Sequence, residues 1–196
     1  VPTCACFGNH DGGRWAVRHG GYADASAVQN VLEDAGVLCL RNASQAVELD
    51  GQSLLLTGVG DLWSRDVEPK SAFSTEAGGK PILVLAHNPD TRTLLRSYSW
   101  DLMLSGHTHG GQVVVPLVGY APFQAVKDRR FLEGLQPWED RLVHVTRGVG
   151  NLLGIRLNCR PEVSLLVLIK ATEGRHTSCR NRVNGALKSS HSVQTS

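Results

Sequence analysis

At 196 residues with 41% hydrophobic content, the chain holds enough apolar material for one sizeable core and gives no sign of two independent domains. Its formal net charge is only +2, and residues 171–196 contribute +3 through Arg175, Arg180, Arg182 and Lys188 against Glu173. The first 170 residues therefore stand near −1, which argues against a basic face for nucleic acid, and no stretch reaches the ~18 apolar residues of a membrane span.

The opening run Cys4-Ala5-Cys6-Phe7 reads as a strand that delivers Gly8-Asn9-His10-Asp11 at its end. The cysteines at 4, 6, 39, 159 and 179 are odd in number and contain no CxxC pair. Neither a disulfide framework nor a structural zinc site is expected, and Cys4 and Cys6 read as small buried hydrophobes. Asp24 to Ala35 has helical spacing in Ala27, Val28, Val31, Leu32 and Ala35, with Asp24 or Ser26 as a cap and Gly36 as a stop. Val37 to Leu40 is a short strand, and Gln45–Leu49 and Ser53–Val59 flank Asp50-Gly51, a strong two-residue hairpin signal. Asp61, after that apolar run, reads first as a turn-forming aspartate and second as a residue lining a cleft. Residues 64–80 are polar and glycine-bearing, a surface loop able to fold over a site.

Pro81 to Ala86 is a second apolar run ending in His87, and Thr91 to Arg96 is a short helix before a third run, Asp101 to Leu104. The strand, helix, strand order predicts a parallel pair with a right-handed crossover. The third run ends in Ser105-Gly106-His107-Thr108-His109-Gly110-Gly111-Gln112. If the chain stays extended there, residues two apart point to one side, and His107 and His109 aim their rings at neighbouring points; two solvated loop histidines are the plainer alternative. Val113 to Pro116, Leu142 to Thr146 and Val163 to Ile169 read as further strands, and Gly119 to Phe131 as irregular. Gly148 to Gly154 imitates a dinucleotide loop but has the wrong spacing and no helix of useful length after it. From Ala171 onward the composition cannot bury a core and predicts a disordered basic tail, residues 171–196, able to touch an anionic surface.

Three strand ends, in order, present GNHD, AHNPD and SGHTHGGQ. Together they resemble the calcineurin-like metallophosphoesterases, whose signature runs from GNH[DE] through a lone histidine after a strand to GHTH or GHxH. Within that superfamily the same stretches, with Val115 to Gly119, Thr146 to Gly150 and Leu157 to Glu162, resemble the YaeI-type bacterial phosphodiesterases from residue 1 to about 168. The fold so implied is α/β, a metallophosphoesterase four-layer sandwich of two mixed sheets flanked by helices, lacking its first strands. Two motifs expected ahead of GNHD, Asp-x-His and Gly-Asp-x-x-Asp, are not in the chain, so the resemblance implies the C-terminal part of such a domain over residues 1–170, without its N-terminal metal ligands.

The resemblance also assigns roles. Asn9, His87 and His107 would bind one divalent ion and His109 a second, while His10 would assist the leaving oxygen and Asp11 would orient it. For His10 a structural hydrogen bond in the loop remains open, as does a plain strand-end role for His87. Imidazole nitrogen and carboxamide oxygen suit manganese, iron, zinc or cobalt better than calcium. Two such ions ~3.5–4 Å apart can hold a hydroxide for in-line attack on phosphorus. The implied activity is a metal-dependent phosphodiesterase or pyrophosphohydrolase, with UDP-2,3-diacylglucosamine-like lipid A precursors as one substrate class. The implied setting is bacterial, cytoplasmic or membrane-associated through a peripheral contact. The alternative is an inactive, scaffold-like member of the fold with an incomplete metal site.

Overall fold

The computed structural model describes residues 2–49, 51–116, 125–151 and 154–169. The opening run enters a short strand, β1 (Cys4–Ala5), which pairs in parallel with β2 (Leu38–Cys39). Between them lie α1 (Arg14–Arg18) and α2 (Ser26–Asp34). The second is the predicted helix: Asp24 Oδ1 accepts the Ser26 amide at 2.8 Å, and Gly36 follows with φ 78°. No residue of α2 is fully buried, and Val31 is 69% exposed. The first helix, not predicted, is a five-residue turn after Gly12-Gly13 that carries Trp15.

The larger sheet starts with the hairpin of β3 (Ala43–Leu49) and β4 (Gln52–Gly58), antiparallel from Ala43 opposite Gly58 to Leu49 opposite Gln52. This is the pairing expected around Asp50-Gly51, although Asp50 itself lies outside the described residues. Then come α3 (Pro69–Ala72), β5 (Ile82–Leu85), β6 (Leu102–Ser105), β7 (Gly134–Trp138) and β8 (Arg141–Val145). The strand order is β3-β4-β5-β6-β8-β7: four parallel strands in the middle and an antiparallel strand at each edge. The chain is therefore α/β with a mixed multi-strand sheet and few helices, as expected, and β5 and β6 form the predicted parallel pair.

Centrally placed parallel strands are covered on both faces, so their sequences are nearly continuous apolar runs. One row across the sheet, Thr57, Val84, Met103 and Val143, is wholly excluded from solvent. Its polar member is satisfied by its cross-strand neighbour, since the Ser44 and Thr57 hydroxyls are 2.7 Å apart. Trp100 and Trp138 stack in the core with ring centroids 5.6 Å apart, and Trp100 Nε1 donates to Leu95 O at 3.0 Å.

Several expectations need correction. Val113 to Pro116 is not a strand; Val113 makes one isolated bridge to Leu157. Val163 to Ile169 is not a strand either, and Val163 is 86% exposed. An apolar, β-branched run can prepare a strand, but a strand forms only where a partner supplies hydrogen bonds along it, and no described strand pairs with either run. Residues 64–80 are not a free flap: they hold α3, whose Ala72 is completely buried and accepts a hydrogen bond from Ser44 Oγ at 2.6 Å. The short helix after His87 is a 3-10 turn over Pro89–Thr93, earlier than expected. Strand β7 was missed because Pro137 breaks the pattern; it is an edge strand, where a missing N–H is tolerated. Residues 119–124 of the Gly119–Phe131 segment and the tail from Ala171 lie outside the described residues; the rest of that segment is irregular up to a 3-10 turn at Arg129–Phe131.

The described residues up to Ser164 form one compact unit. Within it, Met103→Ala should destabilise by about 2–5 kcal/mol in denaturant unfolding, because the site is closed on all sides. Val31→Ser, on the exposed side of α2, should change stability by less than about 0.5 kcal/mol.

Candidate metal centre at the strand ends

Because β4, β5, β6 and β8 run parallel, their C-terminal ends open on one edge of the sheet, where α/β proteins place ligand sites. Pairing continues past β5 and β6, with Ala86 N donating to Leu104 O at 3.1 Å and Gly106 N to His87 O at 3.0 Å. His87 and His107 are thereby fixed side by side. Asn9 arrives from the end of β1. His87 Nε2 lies 3.0 Å from Asn9 Oδ1 and 3.1 Å from His107 Nδ1, so the three predicted groups meet.

The surroundings hold this meeting in place. A Cβ on Gly8 would fall 2.8 Å from the His87 ring, so the close passage requires glycine. Asn88 Oδ1 accepts the Asp90 amide at 2.8 Å, and the Arg92 guanidinium donates to Pro89 O and Asp90 Oδ1, both at 2.8 Å. This ion pair is buried, with Arg92 over the Phe131 ring at 3.8 Å, and it locks the turn immediately after His87. AHNPD thus contributes a ligand candidate and its support.

Burial holds the His87 imidazole far below its ordinary pKa, at about 4; nearby Asp11 acts upward, and His109 and His10 act downward. Burial likewise puts His107 at about 3, helped by His87, His109 and His10 and opposed by the Ala125 backbone. Both rings are neutral at physiological pH. Asn9 Oδ1 can only accept, and His107 Nε2 is buried with no hydrogen-bond partner. Lone pairs outnumber protons in this space, and an N/N/O donor set of that kind fits a borderline divalent cation.

His109 is placed differently. The extended backbone that would aim it beside His107 does not form: His107 and His109 have φ of 67° and 50°, and a 3-10 turn occupies His109–Gly111. Left-handed backbone at non-glycine residues is uncommon and tends to occur at functional sites. His109 Nδ1 donates to Gly150 O at 3.1 Å, which leaves Nε2 as its free lone pair. Arg156, which sequence reasoning missed, organises that corner. Its guanidinium donates to His109 O and Cys159 O at 3.3 Å, to Arg147 O at 2.8 Å, to Gly148 O at 3.2 Å and to Gly150 O. The stretch that imitates a dinucleotide loop is therefore the support of His109. Among the described residues no three His, Cys, Asp or Glu side chains converge, since the trio includes Asn9 and His109 stands at Gly150.

His10 is exposed, its ring edge-on to Trp15 with centroids 4.5 Å apart. Asp11 Oδ2 accepts the Gly8 amide at 2.7 Å, and Asp11 N donates to Gly8 O at 3.1 Å; the carboxylate closes the loop, and Trp15 is the ring against His10. Asp61 is the turn-forming residue: its buried Oδ2 accepts the Ser64 amide at 2.7 Å, and burial raises its pKa. It also lines a cavity of about 210 Å³ with Phe7, Gly8, Gly12 and Arg41. Cys4, Cys6, Cys39 and Cys159 are free thiols, and burial pushes Cys6 up to about 12.

A strand-end cluster of imidazole and carboxamide donors on a mixed α/β sheet has the donor chemistry of a divalent-metal site at the place where α/β folds bind ligands. Residues 1–111 match the calcineurin-like phosphoesterase family, and the chain belongs to that family. It is 45% identical to phosphodiesterase YaeI of Escherichia coli (strain K12) over 86% of this chain and 59% of that protein. It is 31% identical to UDP-2,3-diacylglucosamine pyrophosphatase LpxG of Chlamydia trachomatis over 70% of this chain and 43% of that protein. It is 29% identical to the uncharacterized metallophosphoesterase YkuE of Bacillus subtilis over 83% and 54%. The chain thus spans about half of the length of these curated relatives. No solved structure matches.

The depressed histidines set a pH dependence for the metal-free chain. The unfolded chain takes up protons below about pH 6.5, whereas His87 and His107 in the fold wait until about 4 and 3. Their contribution to stability is therefore complete above about pH 6.5 and is lost progressively as pH falls toward 4. Denaturant unfolding across this range should show a smaller slope in His87→Gln than in the parent; equal slopes would contradict the assignment.

Proposed function

We propose that this chain carries the histidine-rich side of a phosphodiester-hydrolysing centre. Asn9, His87 and His107 hold one divalent ion, and His109, through Nε2, faces a second. The supporting observation is the meeting of Asn9 Oδ1, His87 Nε2 and His107 Nδ1, with successive contacts of 3.0 and 3.1 Å, in a half-buried, proton-poor space. Metallophosphoesterases generally use divalent metals; here the donor chemistry favours manganese, iron, zinc or cobalt. When bound, the ions neutralise phosphoryl charge and activate the attacking water.

The protein's own groups do the rest. His10, exposed at the mouth of the site and close enough to act on both half-buried rings, donates a proton to the leaving oxygen. Asp11 keeps the Gly8–Asp11 loop closed and so fixes where His10 starts. Arg156 holds the carbonyl that orients His109, the kind of outer contact that tunes a metal ligand. The substrate class we infer is a phosphodiester or a pyrophosphate-linked nucleotide, by analogy with the phosphodiesterase YaeI and the UDP-2,3-diacylglucosamine pyrophosphatase LpxG. A lipid-linked member of that class would bring the protein to a bacterial membrane surface.

Two variants separate the roles. His107→Ala should weaken manganese binding, measured by calorimetry, by at least about tenfold and lower hydrolysis of bis-4-nitrophenyl phosphate in parallel. His10→Ala should keep manganese affinity while lowering turnover about 10²–10⁴-fold. Unchanged manganese binding in His107→Ala would remove the basis of the reading.

A further inference from the structure

Two tryptophans lie beside the candidate catalytic histidines. Trp63 meets His107 edge-on, with centroids 4.2 Å apart and planes at 90°, and remains 40% exposed. Trp15 touches His10 and lies 5.9 Å from Trp63. On its far side Trp15 stacks on His19 at 3.8 Å, and His19 Nδ1 donates to Trp15 O at 2.8 Å, so the indole is braced from behind. Trp63 is braced too, because its turn is pinned by the Ser64 amide on buried Asp61. The result is a rigid aromatic strip, Trp15 to Trp63, running from the proposed proton donor to the proposed metal ligand.

We propose that this strip is a binding site for a planar heteroaromatic ring, such as a nucleobase, carried on one ester of the substrate; the proposal rests on the reading of the site given above. A core would hide Trp63, as it hides Trp100 and Trp138 at 4% and 8% exposure. Holding His107 in place would not need an indole with so much surface left open. Aromatic faces bind base rings by stacking regardless of hydrogen-bond pattern, so the strip selects for a ring rather than for a particular base. A ring attached a few bonds from the scissile phosphorus reaches Trp63 while that phosphorus lies over His107.

The test uses the 196-residue chain and two probes with the same phosphate, uridine 5′-monophosphate and ribose 5-phosphate. Intrinsic fluorescence, excited beyond nucleobase absorption, reads the open tryptophans because Trp100 and Trp138 are enclosed. The nucleotide should quench saturably and bind about tenfold to a hundredfold more tightly than the sugar phosphate. Trp63→Leu, which keeps an apolar contact on His107, should erase that preference, whereas Trp63→Phe should retain most of it. Equal binding of the two probes, no saturable nucleotide response, or a preference that survives in Trp63→Leu would overturn the proposal. Manganese calorimetry on the same samples keeps the two ideas apart. Manganese binding without ring preference defeats only the aromatic site, and ring preference without manganese binding defeats only the metal centre.

Discussion

The site depends most on one constraint: three groups rich in lone pairs, the buried Asn9 and the half-buried His87 and His107, are forced together at the strand ends. Burying polar groups without partners is costly, and here the cost falls on histidines that must stay neutral and on an imidazole nitrogen that pairs with nothing. Such an arrangement persists only where the scaffold over-determines it. The scaffold does so from three directions: β5–β6 pairing that runs past the strands, the missing Cβ at Gly8, and the Asp90–Arg92 pair under Phe131. Packing stability from the sheet is converted into a donor set that a cation would complete.

The second half of the site is held by different means. His109 sits on left-handed backbone and is tied to Gly150, while Arg156 draws carbonyls from three loop segments around one guanidinium. A planar five-donor group suits that task better than an ammonium. Strand ends thus fix the Asn9, His87 and His107 trio and loop hydrogen bonds fix His109, so the two proposed ion positions have separate structural origins. The exposed side is aromatic, with His10 and His107 each against an indole. Imidazole and indole together form an aromatic wall that stays partly open to solvent, with Trp63 40% exposed.

Much of this was legible in the chain, for physical reasons. Apolar runs followed by glycine or histidine mark the ends of covered parallel strands, so three strand ends were readable from short stretches, while the grouping of Asn9, His87 and His107 came from the resemblance to the metallophosphoesterases. The hairpin at Asp50-Gly51 and the helix before Gly36 followed from turn and cap chemistry. The direction of His109 was not legible, because alternation assumes extended backbone and residues 107–112 are not extended. Arg156 was missed because its partners lie in loops up to 47 residues away, where no periodicity connects them. Strand β7 was hidden by Pro137, and Val163–Ile169 looked like a strand because a continuous apolar run reports hydrophobicity, not a pairing partner.

The central claim is most directly tested by crystals of the chain soaked in manganese and measured for anomalous scattering. The account predicts a peak at ligand distance from Asn9 Oδ1, His87 Nε2 and His107 Nδ1 together. Manganese seated elsewhere, or these three side chains unchanged and without a peak between them at saturating metal, would contradict it.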